Sequence, residues 1–149
     1  MILRRYPEAI AAYNDGATLA SDRPGIYSSG TGLAHYLHGD FESARSSCEM
    51  VPEDDANLVC LAIAYDKLGR HADAQGALAK VQAHDGNMGA LSYSAIYANW
   101  GKKSPALDWL EKAMHLRDPD LLQLNHPLYD PLRNEPRFQA VLRALHFPD

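Results

Sequence analysis

Residues 55–81 read DANLVCLAIAYDKLGRHADAQGALAKV, and within them a Gly is followed five residues later by an Ala. The same pair occurs at the same interval three times in the chain, as Gly39 and Ala44, Gly69 and Ala74, and Gly101 and Ala106. The sequence around the pairs differs from one copy to the next. A fixed interval in a varying sequence indicates an internal repeat.

Residues of matching size recur around each pair. A residue with a ring side chain stands four residues before each Gly: His35, Tyr65 and Tyr97. A small residue stands three positions before each of these: Gly32, Ala62 and Ser94. A larger residue follows each Ala by four positions, and an apolar one comes three later: Cys48, Leu78 and Leu110, and Val51, Val81 and Ala113. These spacings put both sizes on one face of each of two helices, and the Gly ends the first helix. The repeated unit is predicted to be a helical hairpin.

Three complete units cover residues 25–53, 55–84 and 87–118. The distance between successive Gly residues is 30 from Gly39 to Gly69 and 32 from Gly69 to Gly101. The difference falls after the second helix of a unit, where a stack of hairpins tolerates a change in loop length.

This pattern resembles the tetratricopeptide repeat, which places a small residue, an aromatic, an Ala and a large apolar residue in the same order. All three units lack the usual Trp of that family, and Ser28, Leu58 and Ala90 stand at its position. The first unit also has His35 in place of the usual Tyr and Thr31 in place of the usual Leu. The resemblance implies an all-α, right-handed solenoid of helical hairpins.

The start of the chain matches only half a unit. Residues 6–13, YPEAIAAY, fit the second helix of a hairpin, so residues 1–20 are interpreted as the second helix of a truncated repeat. The chain is then expected to be a fragment of a longer array or to have a mis-set start. An uncapped end would leave apolar side chains uncovered. We therefore expect a homodimer through residues 1–20, on the flank formed by Leu3, Ile10, Tyr13 and Leu19.

Residues 119–149 are predicted to be a capping segment. Asp118-Pro119 begins a short helix with Leu121, Leu122 and Leu124, and each Asp-Pro pair offers a cap followed by a residue pre-set for a helix. The last helix carries its apolar residues on one face: Phe138, Val141, Leu142 and Leu145. The run DPLRNEPRF at 130–138 is similar to the end of tetratricopeptide arrays in bacterial signalling proteins, where the array follows a cyclase, winged-helix or Ser/Thr kinase domain.

In the tetratricopeptide family the first helix of each repeat lines a concave groove, so the resemblance assigns candidate partner-binding residues by register. They are Leu33, Tyr36, Leu37, Val59, Ile63, Asp66, Lys67, Leu91, Ala95 and Asn99, with Ile26, Ser29, Ala56, Met88 and Ala98 at the remaining positions. Only Lys67 and Asn99 could hold a terminal carboxylate, and one ammonium beside Asp66 is a poor anion site. An apolar helix or extended peptide fits better. The alternative is that this surface packs against further repeats or a copy of the chain.

Composition excludes several classes of protein. The chain has 149 residues, 46% of them hydrophobic, and a formal charge of -5, which argues against a nucleic-acid or anionic-membrane surface. The stretch Gly86 to Gly101, which has no charged residue, is too short and too polar for a membrane helix. No secretory signal is recognised, so a cytoplasmic location is expected. Cys48 and Cys60 are expected to be separate buried hydrophobes, because disulfides are rare in a reducing cytosol.

Catalytic motifs are weak in this sequence. His35 and His38 lie one helical turn apart, but no third metal ligand is fixed by spacing. No phosphate-binding loop, nucleophile elbow or His-Glu metal helix occurs. The leading interpretation is a non-catalytic protein-interaction module without a cofactor. The alternatives are the regulatory C-terminal tail of a bacterial adenylate cyclase or transcriptional regulator and, more remotely, a metal-dependent hydrolase.

Overall fold

The computed structural model describes residues 5–19, 22 and 24–146. These residues form eight α-helices and three 3-10 helices, and no β-strand occurs among them. The α-helices are α1 (Tyr6–Leu19), α2 (Pro24–His38), α3 (Phe41–Cys48), α4 (Asp55–Lys67), α5 (His71–Asp85), α6 (Ala90–Asn99), α7 (Lys103–His115) and α8 (Pro136–Ala144). The 3-10 helices are Gly86–Gly89, Pro119–Gln123 and Pro127–Leu132. The all-α prediction is confirmed for the described part of the chain, and no helix within it has both the length and the apolar character to cross a bilayer.

The same turn follows α2, α4 and α6. Gly39, Gly69 and Gly101 have φ angles of 92°, 75° and 75°, in the left-handed region that favours glycine. Each Gly amide donates to the carbonyl three residues earlier, and the next amide donates to the carbonyl of the ring residue: Asp40 to His35, Arg70 to Tyr65, Lys102 to Tyr97. This is the Schellman pattern of helix ends. The prediction that the repeated Gly ends the first helix of each pair is confirmed.

The repeated small residues are buried where paired helices approach each other. Ala44, Ala62, Ala74, Ala106 and Ser94 are at most 1% exposed. Of the large residues at the repeated position after the Ala, Leu78 and Leu110 are also buried, as is Cys48. The ring residues are only half-buried: His35, Tyr65 and Tyr97. Small side chains let the helix axes come close enough for the larger ones to interlock.

The described residues form two compact units, one ending at His84 and one beginning at Asp85. We call them the N-terminal unit and the C-terminal unit. The N-terminal unit contains α1 to α5, and the C-terminal unit contains α6 to α8 together with the 3-10 helices.

In the N-terminal unit, α1 packs against α2 through two Tyr–Gly contacts. A side chain at Gly30 would overlap the ring of Tyr13, and one at Gly16 would overlap the ring of Tyr27. Of the flank expected to be uncovered, Tyr13 therefore packs on α2, Ile10 is half-buried, and Leu19 remains 87% exposed; Leu3 lies outside the described residues. No residue of α1 is buried and Tyr13 is still 38% exposed, so the homodimer through residues 1–20 stays a prediction.

A buried polar cluster joins the starts of α2 and α4. Asn57 is fully buried, accepts a hydrogen bond from the Ser28 hydroxyl at 3.1 Å and donates to the Gly25 carbonyl at 3.2 Å. Its backbone amide donates to Asp54 Oδ1 at 3.2 Å, the N-cap bond of α4. A buried amide is tolerated when its donors and acceptors are paired in this way.

The two cysteines form a disulfide, Cys48–Cys60, which links α3 to α4. Both are fully buried, as expected, but the expectation that they are unpaired is wrong. The turn of residues 49–54 reverses the chain between α3 and α4, so a separation of 12 residues becomes close contact. The residue separation alone did not reveal this, because it does not say which helix faces meet.

In the C-terminal unit, the capping segment packs on α6 and α7. Its buried apolar residues join those of the two helices in one core: Leu121, Leu124, Tyr129, Leu132, Phe138 and Val141. Leu122 is 79% exposed, so the short helix after Asp118 buries only part of its predicted apolar set. Asp118 caps that helix as predicted, accepting from the Asp120 amide at 2.9 Å.

The second Asp-Pro pair does not cap a helix, which corrects the prediction. Asp130 lies inside the 3-10 helix 127–132, whose N-cap is His126; the Nδ1 of His126 accepts from the Leu128 amide at 3.2 Å. Asp130 instead accepts from Arg133 at 3.0 Å. Arg133 also donates to the Leu124 carbonyl at 3.2 Å and lies over the Phe138 ring, so one guanidinium ties both 3-10 helices to α8.

Candidate interaction surface

One face of α2 carries apolar side chains with partial solvent access. Ile26, Leu33 and Leu37 lie seven and four residues apart, which places them on a common face. Ile26 is 55% exposed, and Leu33 and Leu37 are half-buried. Gly30 lies between Ile26 and Leu33 on this face, so the contact of Tyr13 with Gly30 makes α1 its border, while Gly32 on another side of α2 contacts the disulfide.

The neighbouring helix α4 adds one apolar residue and a charged end. Val59 is half-buried, and Lys67 at the last residue of α4 is exposed. Asp66 Oδ1 lies 2.9 Å from His71 Nδ1, so this carboxylate already has a polar partner. Burial, together with the Asp66 charge, raises the pKa of Tyr36 well above its usual range, which keeps the phenol neutral. We call the surface to which the repeat register assigns Ile26, Leu33, Leu37, Val59 and Lys67 the α2–α4 face.

Seven of the residues assigned by register are buried, Ser29 and Ala98 among them. Ile63 is 1% exposed and Tyr36 is 6% exposed, both in the N-terminal unit. In the C-terminal unit, Leu91 is 6%, Ala95 is 3% and Asn99 is 9% exposed. Burial removes these side chains from direct contact with a partner unless the fold opens. The open part of the predicted groove in the N-terminal unit is therefore the α2–α4 face.

Asn99 is engaged inside the C-terminal unit. Its side-chain amide donates to the carbonyl oxygens of Ala95 at 2.8 Å and Leu128 at 2.9 Å. A carboxylate clamp needs free donors. With Asn99 occupied, Lys67 is the one residue left of the two that the sequence offered for such a clamp.

Two clefts lie in the N-terminal unit. One, of about 260 Å³, lies between α4 and α5 beside Leu61, Tyr65 and Gly76. The other, of about 270 Å³, lies among α1, α2 and α3 beside Tyr27, Thr31 and Met50. Both are smaller than the roughly 300 to 1,000 Å³ typical of small-molecule sites. Burial and a hydrogen bond to Glu49 raise the pKa of Tyr65, at the first cleft, to about 12.

The histidines named as a metal hypothesis have other neighbours. His35 Nδ1 lies 3.8 Å from Asp40 Oδ2, and the His38 ring packs edge-on against Tyr6. Across residues 5–19, 22 and 24–146, no three His, Cys, Asp or Glu side chains are grouped so that they could hold a metal ion.

The two tryptophans pack against tyrosines: Trp109 against Tyr93 and Trp100 against Tyr97.

Comparison of the chain with protein-family models, curated proteins and solved structures gives no match. Function is therefore inferred from the residues themselves. Sequence reasoning missed three groups that organise them: the Cys48–Cys60 disulfide, the Asn57 cluster and Arg133. The sequence did contain a signal for the disulfide. Cys48 stands where the later repeats have Leu78 and Leu110, and Gly32 stands where they have Ala62 and Ser94.

Proposed function

We propose that the chain is a tetratricopeptide-like module whose hairpins stack as a right-handed solenoid, and that it binds protein partners without catalysing a reaction. The observation that carries the proposal is the turn repeated after α2, α4 and α6, with the same two hydrogen bonds and a positive-φ Gly each time. Buried small residues at matching positions of the paired helices support the same interpretation. Repetition of both features favours stacked hairpins over a collection of unrelated helices.

The proposed partner is an apolar helix or extended peptide that docks on the α2–α4 face. Ile26, Leu33, Leu37 and Val59 offer partly exposed aliphatic surface, which loses contact with water when an apolar side chain covers it. Lys67, at the end of this face, favours an acidic residue at one end of the ligand. Helix-in-groove recognition combines these elements, with apolar anchors spaced by one and two helical turns.

The test begins with a display library of helical and extended peptides selected against the full chain. The dissociation constant of a selected peptide is measured by calorimetry for the wild type, for Leu37→Glu, and for Leu122→Glu as the matched control on an exposed leucine in the C-terminal unit. We expect Leu37→Glu to weaken binding by about tenfold or more, the loss of one apolar anchor, and Leu122→Glu to leave it unchanged. Circular dichroism verifies that both variants remain helical.

Two outcomes would overturn this proposal. The first is a selection that yields no peptide with saturable binding. The second is a peptide whose affinity is the same for Leu37→Glu and the wild type. Ile63→Glu would not test partner binding, because Ile63 is 1% exposed and a buried carboxylate would disturb folding.

A further inference from the structure

Three helices of the N-terminal unit meet at Gly32, Cys48 and Cys60. These residues belong to α2, α3 and α4 respectively. A β-carbon on Gly32 would overlap the Sγ of Cys48 and would lie 2.8 Å from the Sγ of Cys60 and 3.2 Å from the Ala44 carbonyl oxygen. The sulfur pair thus fills the space that a side chain would take, and only glycine fits beneath it.

The first hairpin departs from the other two at both of these positions. Ala62 and Ser94 stand where Gly32 stands, and Leu78 and Leu110 stand where Cys48 stands. The second helix of the first hairpin is also the shortest: α3 has 8 residues, against 15 in α5 and 13 in α7. The chain therefore combines a shorter helix, a missing leucine and a missing β-carbon at one point. A covalent link to α4 accounts for the glycine at position 32 and for the cysteine where the later hairpins have leucine.

We propose that Cys48–Cys60 is a native structural cross-link that holds α3 against α2 and α4, in place of the leucine packing used by the later hairpins. It forms by thiol–disulfide exchange. One cysteine thiolate attacks an oxidant disulfide, such as oxidised glutathione, and releases one thiol; the second cysteine then displaces the other. The chain loses two protons and two electrons, and the oxidant disulfide is reduced to two thiols.

Burial makes this cross-link structural rather than a freely reversible switch. Both cysteines are fully buried, so a reductant reaches them only when the unit opens locally. Reduction would replace the bond by a non-bonded contact between two sulfur atoms, which needs more room. That room is limited by the Gly32 backbone and by the carbonyl oxygens of Ser28 and Ala44, which lie 3.8 and 3.7 Å from Cys48 and Cys60 Sγ. Stable disulfides are typical of oxidising compartments, which argues against the cytoplasmic location expected from the sequence.

The first experiment measures whether the bond forms. The full chain is refolded with a mixture of oxidised and reduced glutathione, denatured with iodoacetamide present, and weighed by intact-mass spectrometry. The expected product carries no carbamidomethyl group and is lighter than the reduced chain by two hydrogens. Two alkylated cysteines after this treatment would overturn the proposal.

The second experiment measures whether the bond supports the fold. Full reduction in denaturant, followed by refolding with the reductant present, is expected to lower the melting temperature by about 10 °C or more, given the usual effect of closing a loop of this size. An unchanged melting temperature would contradict a structural role.

A mutant cycle tests the geometry without relying on either cysteine variant alone. Gly32→Ala is expected to lower the melting temperature of the oxidised wild type, because the new methyl group overlaps Cys48 Sγ. In the Cys48→Ala/Cys60→Ala background the same substitution is expected to be neutral or stabilising, since the sulfur atoms are gone. An equal change in melting temperature in both backgrounds would contradict the inference that Gly32 makes room for the disulfide. Gly76→Ala, at an open position of α5, is the matched control.

Discussion

The side-chain amide of Asn99 donates a hydrogen bond of 2.9 Å to the carbonyl oxygen of Leu128. This bond joins the last residue of α6 to the 3-10 helix 127–132, and Asn99 is only 9% exposed. A residue placed in a ligand groove by its repeat register is thus used to attach the capping segment. The same segment belongs to the core that contains Leu91 and Ala95.

Replacing Asn99 by Ala should loosen the capping segment. The Leu128 carbonyl would lose a buried donor, at a cost of about 1 to 3 kcal/mol. The loss is measured as a lower urea midpoint in equilibrium unfolding followed by circular dichroism. Asn134→Ala, at an exposed position of the same unit, is expected to change the midpoint little. Equal midpoints for Asn99→Ala and the wild type would show that the bond contributes nothing to stability.

The stability of the C-terminal unit should fall in mild acid because of His126. Burial lowers the pKa of His126 below its ordinary value of 6.5, and the Asp130 charge opposes this only in part. The unfolded chain therefore takes up the proton first as the pH falls. The contribution of His126 is fully present above about pH 6.5 and is lost as the pH falls from there through the lowered folded-state pKa.

His126→Asn keeps a side-chain acceptor for the Leu128 amide but removes the titrating group. We expect its melting temperature to vary less between about pH 5 and 7 than that of the wild type. His38→Asn, at an exposed position of α2, is the control and should leave the wild-type pH dependence in place. A His126→Asn profile parallel to the wild type would rule out this residue as the source of the acid sensitivity.

Ser94→Ala should stabilise the protein. Ser94 is fully buried in α6, and within the described part of the chain its hydroxyl has no hydrogen-bond partner. Removing an unpaired buried hydroxyl is expected to raise the free energy of unfolding by about 1 kcal/mol, part of which is helix propensity. Ser46→Ala, at an exposed position of α3, measures the propensity part alone. A destabilised Ser94→Ala would mean that the hydroxyl is paired in solution.

Arg137→Gln should change the titration of Glu111. Arg137 donates to Glu111 at 2.8 and 2.9 Å and to Asp108 at 2.7 Å, which links α8 to α7. The Arg137 hydrogen bond lowers the pKa of Glu111, and NMR titration of its carboxyl carbon should show that pKa rising toward 4.5 in the variant. The pair is partly exposed and screened by solvent, so the loss of stability should be small. Arg143→Gln is the control, and a Glu111 pKa unaffected by Arg137→Gln would refute the linkage.

The positions of the repeated turns could be predicted from the sequence because their causes are local. At Gly39, Gly69 and Gly101 the amides of the Gly and of the next residue donate to carbonyls three and four residues before the Gly, and the positive φ of this turn favours glycine. Burial of Ala74 and Ala106 follows from helical periodicity in the same way. The prediction that Asp130 caps a helix was wrong, because His126, which precedes Pro127, is the N-cap of the 3-10 helix that contains Asp130.

The amino-acid sequence by itself determined the helical pairs, their glycine turns and which columns of residues are buried, since each depends on neighbours within a few residues along the chain. Only the tertiary structure decided that Cys48 meets Cys60 above Gly32, and that Asn99 holds Leu128 rather than facing a ligand. The reason is physical: these contacts depend on which faces of separate helices come together. That choice depends on packing and hydrogen bonding across the whole unit, which residue spacing does not encode.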